Sequence, residues 1–154
     1  MIKYLLYSIG LCMLLSSCED VKFSKFHHIN SKGWNREDTI FFNTDTLRHS
    51  GRYGFVCGIR THRSYPYQEL VVMIERKVYN HKRLVLHKLE KATCPIVTPS
   101  GTVTGDGIAT TLHKTPIRDF YMNIGDSVVV NIYHNMKRTK LPGVTDVGII
   151  MEKK

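Results

Sequence analysis

The alternation of residue types from Arg52 to Thr61 constrains the fold of this chain more than any other stretch. Tyr53, Phe55, Cys57 and Ile59 occupy every second position, and this period predicts a strand with one face in a core and the other face outward. No stretch of the sequence shows sustained helical spacing of apolar residues with helix caps. The sequence therefore predicts an all-β fold.

Further apolar or alternating segments, separated by turn residues, follow the same pattern. Asp106-Gly107 is a favoured hairpin turn, and Leu141-Pro142-Gly143 marks a tight connection. About eight strands at such spacing in one domain predict a single antiparallel β-sandwich. The clearest expected strands cover residues 38–44, 52–61, 70–78, 83–89, 117–124, 127–136 and 144–151.

The first 18 residues, MIKYLLYSIGLCMLLSSC, indicate where this sandwich resides. Their apolar run is shorter than the roughly 20 residues that a membrane-spanning helix needs. It ends in Leu15-Ser16-Ser17-Cys18, which resembles a bacterial lipoprotein cleavage site. Cleavage there would leave Cys18 as the first residue, with diacylglycerol on its thiol and an acyl chain on its amine. An ordinary secretory signal with a chance cysteine is the alternative.

The length of the remaining chain sets the domain organisation. Removal of 17 of the 154 residues leaves 137, which suffices for one domain with its own core but not comfortably for two. We expect a lipoprotein signal peptide at 1–17, a lipidated N-terminus and tether at 18–30, and a β-sandwich domain at 31–154.

Two cysteines, Cys57 and Cys94, would remain in the folded body. A disulfide between them and two separate buried thiols are both compatible with the sequence. In an oxidising compartment, a bridge closing a loop of this length would stabilise the fold by roughly 3 to 4 kcal/mol. Cys57 lies in frame with Phe55 and Ile59, which predicts a small core residue in either case.

The net charge of +9 favours acidic partners such as phospholipid headgroups and acidic glycans. Because an exported lipoprotein rarely meets nucleic acid, we expect no nucleic-acid partner. Part of this positive charge is clustered. The clustered lysines and arginines either protect exposed strand edges from pairing with other chains, or form a surface that rests on an anionic membrane or docks an acidic partner. They lie around one predicted hairpin and on the last connection: Arg76, Lys77, Lys82, Arg83, Lys88, Lys91, Lys137, Arg138 and Lys140.

The sequence lacks the compact signatures of catalysis, including G-x-S-x-G, H-E-x-x-H, the P-loop and C-x-x-C. Its 13 carboxylates form no isolated pair in an apolar setting of the kind that general acid and base catalysis requires. We expect the eight scattered histidines at the surface or at strand edges and not as metal ligands. The sequence therefore predicts a non-enzymatic protein without cofactor or metal. A hydrolase whose catalytic residues come together from distant strands is the alternative.

Aromatic residues and arginine dominate binding hot spots, which makes Trp34, Tyr65, Tyr67 and Arg138 candidates for a partner surface. Trp34 is the only tryptophan, and we expect it to cover the end of the core. A stacking platform for a sugar ring is the alternative role for its indole. Tyr65-Pro66-Tyr67 predicts a rigid turn with aromatic anchors.

Three stretches carry a family resemblance: FHHINSKGWNRED at 26–38, IRTHRSYPYQELVVMI at 59–74 and HNMKRTKLPGVTDVGIIME at 134–152. In this order they resemble the gliding motility lipoprotein H family, GldH, of the Bacteroidetes, and the last stretch is the most specific. The segment GTVTGDGIATTLHKTP at 101–116 is similar to the family's glycine-spaced hairpin, more loosely. Residues 79–97 match poorly and are unusually basic.

The resemblance implies an all-β envelope lipoprotein without known enzymatic activity. In gliding relatives the family is tied to the gliding machinery and its associated type IX secretion system, and non-motile relatives carry such proteins too. The expected partners are the membrane, reached through the lipid anchor, and other envelope or gliding-machinery proteins. We expect the outer membrane rather than the inner. A lipid-anchored module that binds a glycan or another polyanion, such as an anionic lipid, is the alternative function.

Overall fold

A computed structural model describes residues 22–154 and contains ten β-strands. Within this range no α-helix occurs, and therefore none long and apolar enough to cross a membrane. The strands are β1 (Lys22–His28), β2 (Trp34–Asn35), β3 (Ile40–Asn43), β4 (Gly51–His62), β5 (Glu69–Asn80), β6 (Arg83–Pro95), β7 (Thr110–Met122), β8 (Asp126–His134), β9 (Lys140–Leu141) and β10 (Val144–Lys153).

Eight of the strands form two four-stranded antiparallel sheets, in the orders β1-β10-β4-β7 and β3-β8-β5-β6. Consecutive long strands alternate between the sheets, except that the β5–β6 hairpin joins neighbours within one sheet. This order defines a jelly roll, a form of β-sandwich with two sheets. The short strands β2 and β9 pair with each other. The predicted all-β, antiparallel sandwich is confirmed.

The core forms where the inner faces of the two sheets meet. Phe55, Cys57 and Ile59 of β4 are at most 2% exposed, as their alternation predicts. Val72 and Ile74 of β5 are fully buried. Burying a large apolar side chain of this kind stabilises the fold by about 1.5 to 3 kcal/mol relative to leaving it exposed. In the described part of the chain, Cys57 and Cys94 are free buried thiols, and burial raises the pKa of both.

The sandwich begins earlier than the sequence predicts. Residues 22–28, which we expected in a tether, form β1 and pair along β10 from Lys22 opposite Glu152 to His28 opposite Asp146. The Phe26 ring lies over Gly148, where a Cβ would overlap it, so this glycine allows the close approach. Phe23 and Phe26 are three residues apart. Because a half-buried strand has apolar residues at every second position, this spacing does not indicate a strand. The predicted signal peptide at 1–17 and the predicted lipid attachment at Cys18 lie outside the described residues.

Candidate functional site

The sandwich has two ends with different surfaces, and the pairing of the strands assigns each loop to one of them. At one end, Lys22 of β1 lies opposite Glu152 of β10, and we call this the anchor end. At the other, Thr61 of β4 lies opposite Val144 of β10, and we call this the distal end. The 12 residues of β4 connect the two ends, a span of roughly 35 to 40 Å at the usual rise per residue.

A groove of about 540 Å³ opens at the distal end. The turn after β4 forms one wall, and the 96–109 loop forms the other. Arg63 is exposed, and its Nη2 donates to the carbonyl of Ile108 across the groove at 3.4 Å. The lining combines cationic and hydroxyl groups with apolar ones: Thr61, His62, Arg63, Tyr65, Ile96, Val97, Val103, Gly105, Gly107, Ile108 and Thr111.

His113 supports this groove from below. It is 1% exposed, and its ring nitrogens lie 2.9 Å from the hydroxyl of Thr61 and 2.9 Å from that of Thr104. The imidazole thereby joins the 96–109 loop to the sheet. Burial is the largest influence on its pKa, which is lowered from the usual value. The expectation that the histidines lie at the surface or at strand edges was wrong for His134, which is 1% exposed on the inner strand β8. His113 lies on the edge strand β7, as expected, but its side chain is buried.

The four residues predicted to form a partner surface all lie around the distal end, but not as one exposed patch. Trp34 is 1% exposed, donates its Nε1 hydrogen to the carbonyl of Asp38 at 2.9 Å and packs edge-on against His134. Its indole therefore covers the core end, as expected, and offers no platform to a sugar. Tyr65 is also buried, with its hydroxyl donating to the carbonyl of Glu69.

Tyr67 and Arg138 remain at the surface. Tyr67 is half-buried, with its ring edge-on to Tyr65 at 5.6 Å between centroids. Arg138 is exposed on the connection between β8 and β9. That connection is held in place by Arg36, which donates to the carbonyls of Met136 and Lys137. Of the predicted set, only Arg138 is exposed.

The predicted basic cluster divides into an interior and a surface part. Arg76 is 1% exposed and lies between the sheets, with its guanidinium 4.8 Å from the ring centroids of Phe55 and Phe120. It pairs with Glu90 and donates to the carbonyl of Arg118 at 2.5 Å. Desolvation lowers its pKa. The sequence carried a signal for this burial, because Arg76 is in frame with Leu70, Val72, Ile74 and Val78.

Hydroxyl and imidazole groups meet beside the groove, where the Thr61 hydroxyl lies 2.9 Å from the His113 ring. Among the described residues that line the groove there is no carboxylate and no thiol. Residues 22–154 also contain no group of three or more His, Cys, Asp or Glu side chains that could hold a metal ion. The groove is suited to binding through hydrogen bonds, positive charge and apolar contact.

Fold and surface together define residues 22–154 as an all-β sandwich with a groove at its distal end. The chain belongs to the GldH lipoprotein family, whose model matches residues 21–151. It is therefore a membrane-anchored lipoprotein of the cell envelope in a family related to gliding motility, as the resemblance predicts. No curated protein matches the chain significantly in sequence.

Solved structures with a similar fold are distant in sequence. The globular domain of zebrafish complement 1qA protein is 9% identical, with 88% of this chain and 96% of that chain covered and a TM-score of 0.43. A family 35 carbohydrate-binding module from Clostridium thermocellum is 15% identical, with 82% and 86% covered and a TM-score of 0.41. Eiger TNF from S. frugiperda is 10% identical, with 88% and 92% covered and a TM-score of 0.39. No function follows from similarities at this level.

Proposed function

We propose that this lipoprotein is a non-catalytic accessory component of an envelope complex that serves gliding motility and type IX secretion. Lipid on Cys18 fastens it to the outer membrane, and its distal end contacts protein partners. The observation that carries the proposal is the position of the groove and Arg138 at the end of the sandwich opposite Lys22. A partner surface placed there points away from the membrane.

The rigidity of the distal end supports a contact role. Trp34, Tyr65 and His113 are all buried and hydrogen-bonded to neighbouring loops. Loops held in this way present a fixed shape, so a partner binds without first ordering them. Arg63 and Arg138 supply exposed cationic groups on this shape, and arginine is enriched among residues that dominate binding energy.

Pull-down from detergent-solubilised envelopes tests the proposal. The tagged lipoprotein should carry gliding or secretion proteins with it, and Arg138→Ala and Arg63→Ala should reduce their recovery. Arg118→Ala is the matched control, since Arg118 is an exposed arginine on β7 away from the distal loops. Equal recovery from all three variants would contradict a distal partner surface. Cys18→Ala should release the protein from the outer-membrane fraction, and unchanged fractionation would contradict the anchor.

The groove favours one second candidate, a lipid-anchored module that binds an anionic glycan. Its wall presents Arg63, His62 and threonine hydroxyls, which suit the carboxylate and hydroxyl groups of an acidic sugar. In this case, binding on a glycan array should disappear with Arg63→Ala and persist with Arg118→Ala. An array without signal for the unaltered protein would exclude this candidate.

A further inference from the structure

Four parts of the chain meet at the anchor end. Lys22, the first described residue of β1, lies opposite Glu152 near the C-terminus. The β5–β6 turn and the β7–β8 turn lie beside each other there, because Asn80 is opposite Asp126 and donates to its carboxylate at 2.7 Å. The main-chain N–H of Lys154 donates to the carbonyl of Arg52, which places the C-terminus at the same end.

The distance from this end to the predicted lipid is short. Cys18 precedes Lys22 by four residues, which span at most about 14 Å when fully extended. Acyl chains on Cys18 would therefore hold the anchor end at the bilayer surface. Every side chain exposed at this end must then be compatible with headgroups or with the interfacial region.

The exposed side chains at this end combine apolar and cationic groups. Leu84 is 48% exposed, Val85 53% and Ile124 63%. They lie on or next to two turns that are neighbours, and exposed apolar side chains grouped in this way mark interaction or membrane sites. Lys82 and Arg83 flank them on the hairpin and are exposed. Apolar side chains that enter the interface, together with cations that meet the headgroups, are typical of segments that bind anionic membranes.

The acidic side chains of the anchor end weaken this surface little. Asp119 lies between Arg52 and Lys154, at 3.7 and 3.2 Å. Asp126 is 3% exposed and accepts hydrogen bonds from within the fold. Asp45 and Glu152 are exposed at this end. The exposed cations of this end outnumber these two carboxylates, so the balance of exposed charge is positive. These cations are Arg48, Lys82, Arg83 and Lys153.

The tip of the β5–β6 hairpin is strained in a way that exposes a cation. His81 and Lys82 both have positive φ angles, 46° and 66°, in a two-residue loop for which Asn-Gly is the favoured sequence. A lysine at the second position is disfavoured for stability because of its Cβ. Strained residues of this kind persist most often at functional sites, and here Lys82 lies in the turn and is exposed.

We infer that the anchor end is a membrane-contact surface, in which Leu84, Val85 and Ile124 enter the interfacial region and Lys82 and Arg83 bind anionic phospholipid headgroups. The inference rests on the proposed lipid anchor at Cys18, and it adds that the body lies on the bilayer in a fixed orientation. The groove then faces away from the membrane.

The test uses the lipidated mature protein in vesicles of phosphatidylethanolamine and phosphatidylglycerol that contain nitroxide-labelled lipid. A fluorophore is attached at Leu84→Cys or Ile124→Cys and, as matched distal controls, at Val103→Cys or Ile108→Cys. All four positions carry exposed apolar side chains, and Cys57 and Cys94 are buried from the reagent. We expect quenching at both anchor-end positions to exceed that at both distal positions several-fold.

Charge reversal completes the test. In the Leu84→Cys and Ile124→Cys backgrounds, Lys82→Glu with Arg83→Glu should reduce quenching several-fold, as should vesicles of phosphatidylcholine alone. Flotation with the vesicles and acyl mass on Cys18 are measured on the same samples. Flotation with equal quenching at both ends would overturn the contact surface while leaving the anchor intact. Absence of acyl mass would overturn the proposed function, and the inference with it.

Discussion

The distal and anchor ends of the sandwich differ in how their loops are stabilised. At the distal end, buried aromatic and histidine side chains fix the loops by hydrogen bonds to neighbouring backbone and hydroxyl groups. At the anchor end, tight turns and the strand ends beside them carry exposed apolar and cationic side chains, and one of these residues, Lys82, has a positive φ angle. The comparison indicates that the distal loops keep a constant shape, whereas the anchor end exposes particular side chains at some cost in stability.

The largest expected effect is on stability and comes from the distal core. Trp34→Ala would remove a buried indole with its hydrogen bond to Asp38, and we expect a loss of about 3 to 5 kcal/mol in the free energy of unfolding. Tyr121→Ala, at a position 63% exposed near the anchor end, should change it by no more than about 0.5 kcal/mol. Urea denaturation of both variants measures the difference, and similar losses would contradict the distinction between the ends.

The buried cation between the sheets should give the next largest effect. Arg76→Ala would leave a cavity beside Phe55 and leave Glu90 without its partner, and we expect a loss of about 3 kcal/mol, since Glu90 is partly solvated. The double variant Arg76→Met with Glu90→Gln fills the space without charge, and it should recover most of the lost stability. Urea denaturation is again the measurement. A double variant less stable than Arg76→Ala would show that the ion pair itself stabilises the sandwich.

Acid should weaken the distal end selectively. Burial lowers the pKa of His113 and of His134, so below the ordinary histidine pKa of about 6.5 the unfolded chain binds protons that the folded chain does not. The free energy of unfolding should therefore fall as the pH drops below about 6.5 and level off below the folded pKa values. His113→Gln should flatten this dependence between pH 7 and pH 5, as followed by urea denaturation at each pH.

The exposed His27→Gln variant is the control for this pH dependence. It retains both buried imidazoles and should keep the slope of the unaltered protein. A His113→Gln variant with that same slope would show that the buried imidazole does not carry the effect.

The smallest expected change in stability comes from Lys82→Gly, which we compare with a substitution at a second residue of similar positive φ. Lys82→Gly at the anchor end, with φ 66°, should stabilise the protein by up to about 1 kcal/mol, because glycine adopts this conformation without strain. The same substitution should reduce quenching by nitroxide-labelled lipid at a fluorophore on Ile124→Cys. Thermal unfolding and this quenching measure the two outcomes. If Lys82→Gly left stability unchanged, strain at the hairpin tip would be disproved.

Gly143→Ala supplies the opposite case at the distal end. Its φ is 78°, and a Cβ there would lie 2.8 Å from the backbone of Tyr65, so this variant should lose stability. The two substitutions together test two roles of the same backbone conformation. At the distal end it allows close packing against Tyr65, and at the anchor end it carries an exposed lysine.

The alternation along β4 was sufficient to predict the all-β sandwich, because a half-buried strand leaves a period of two in its sequence. The same rule would have placed Arg76 inside, but its charge suggested the surface until the structure showed Glu90 beside it. β1 could not be predicted, since Phe26 packs over Gly58 and Gly148 of other strands and does not alternate with Phe23. The groove could not be predicted either, because it depends on the 96–109 loop folding over Thr61 and His113, a contact between residues far apart in sequence.

The central claim is that lipid on Cys18 holds the anchor end at the membrane, so that the distal end is free to bind. Mass spectrometry of the N-terminal peptide from protein purified out of envelopes tests it most directly. We predict a peptide that begins at Cys18 and carries the mass of diacylglycerol and a further acyl chain. An unmodified amino terminus on protein recovered from the water-soluble fraction would contradict the account.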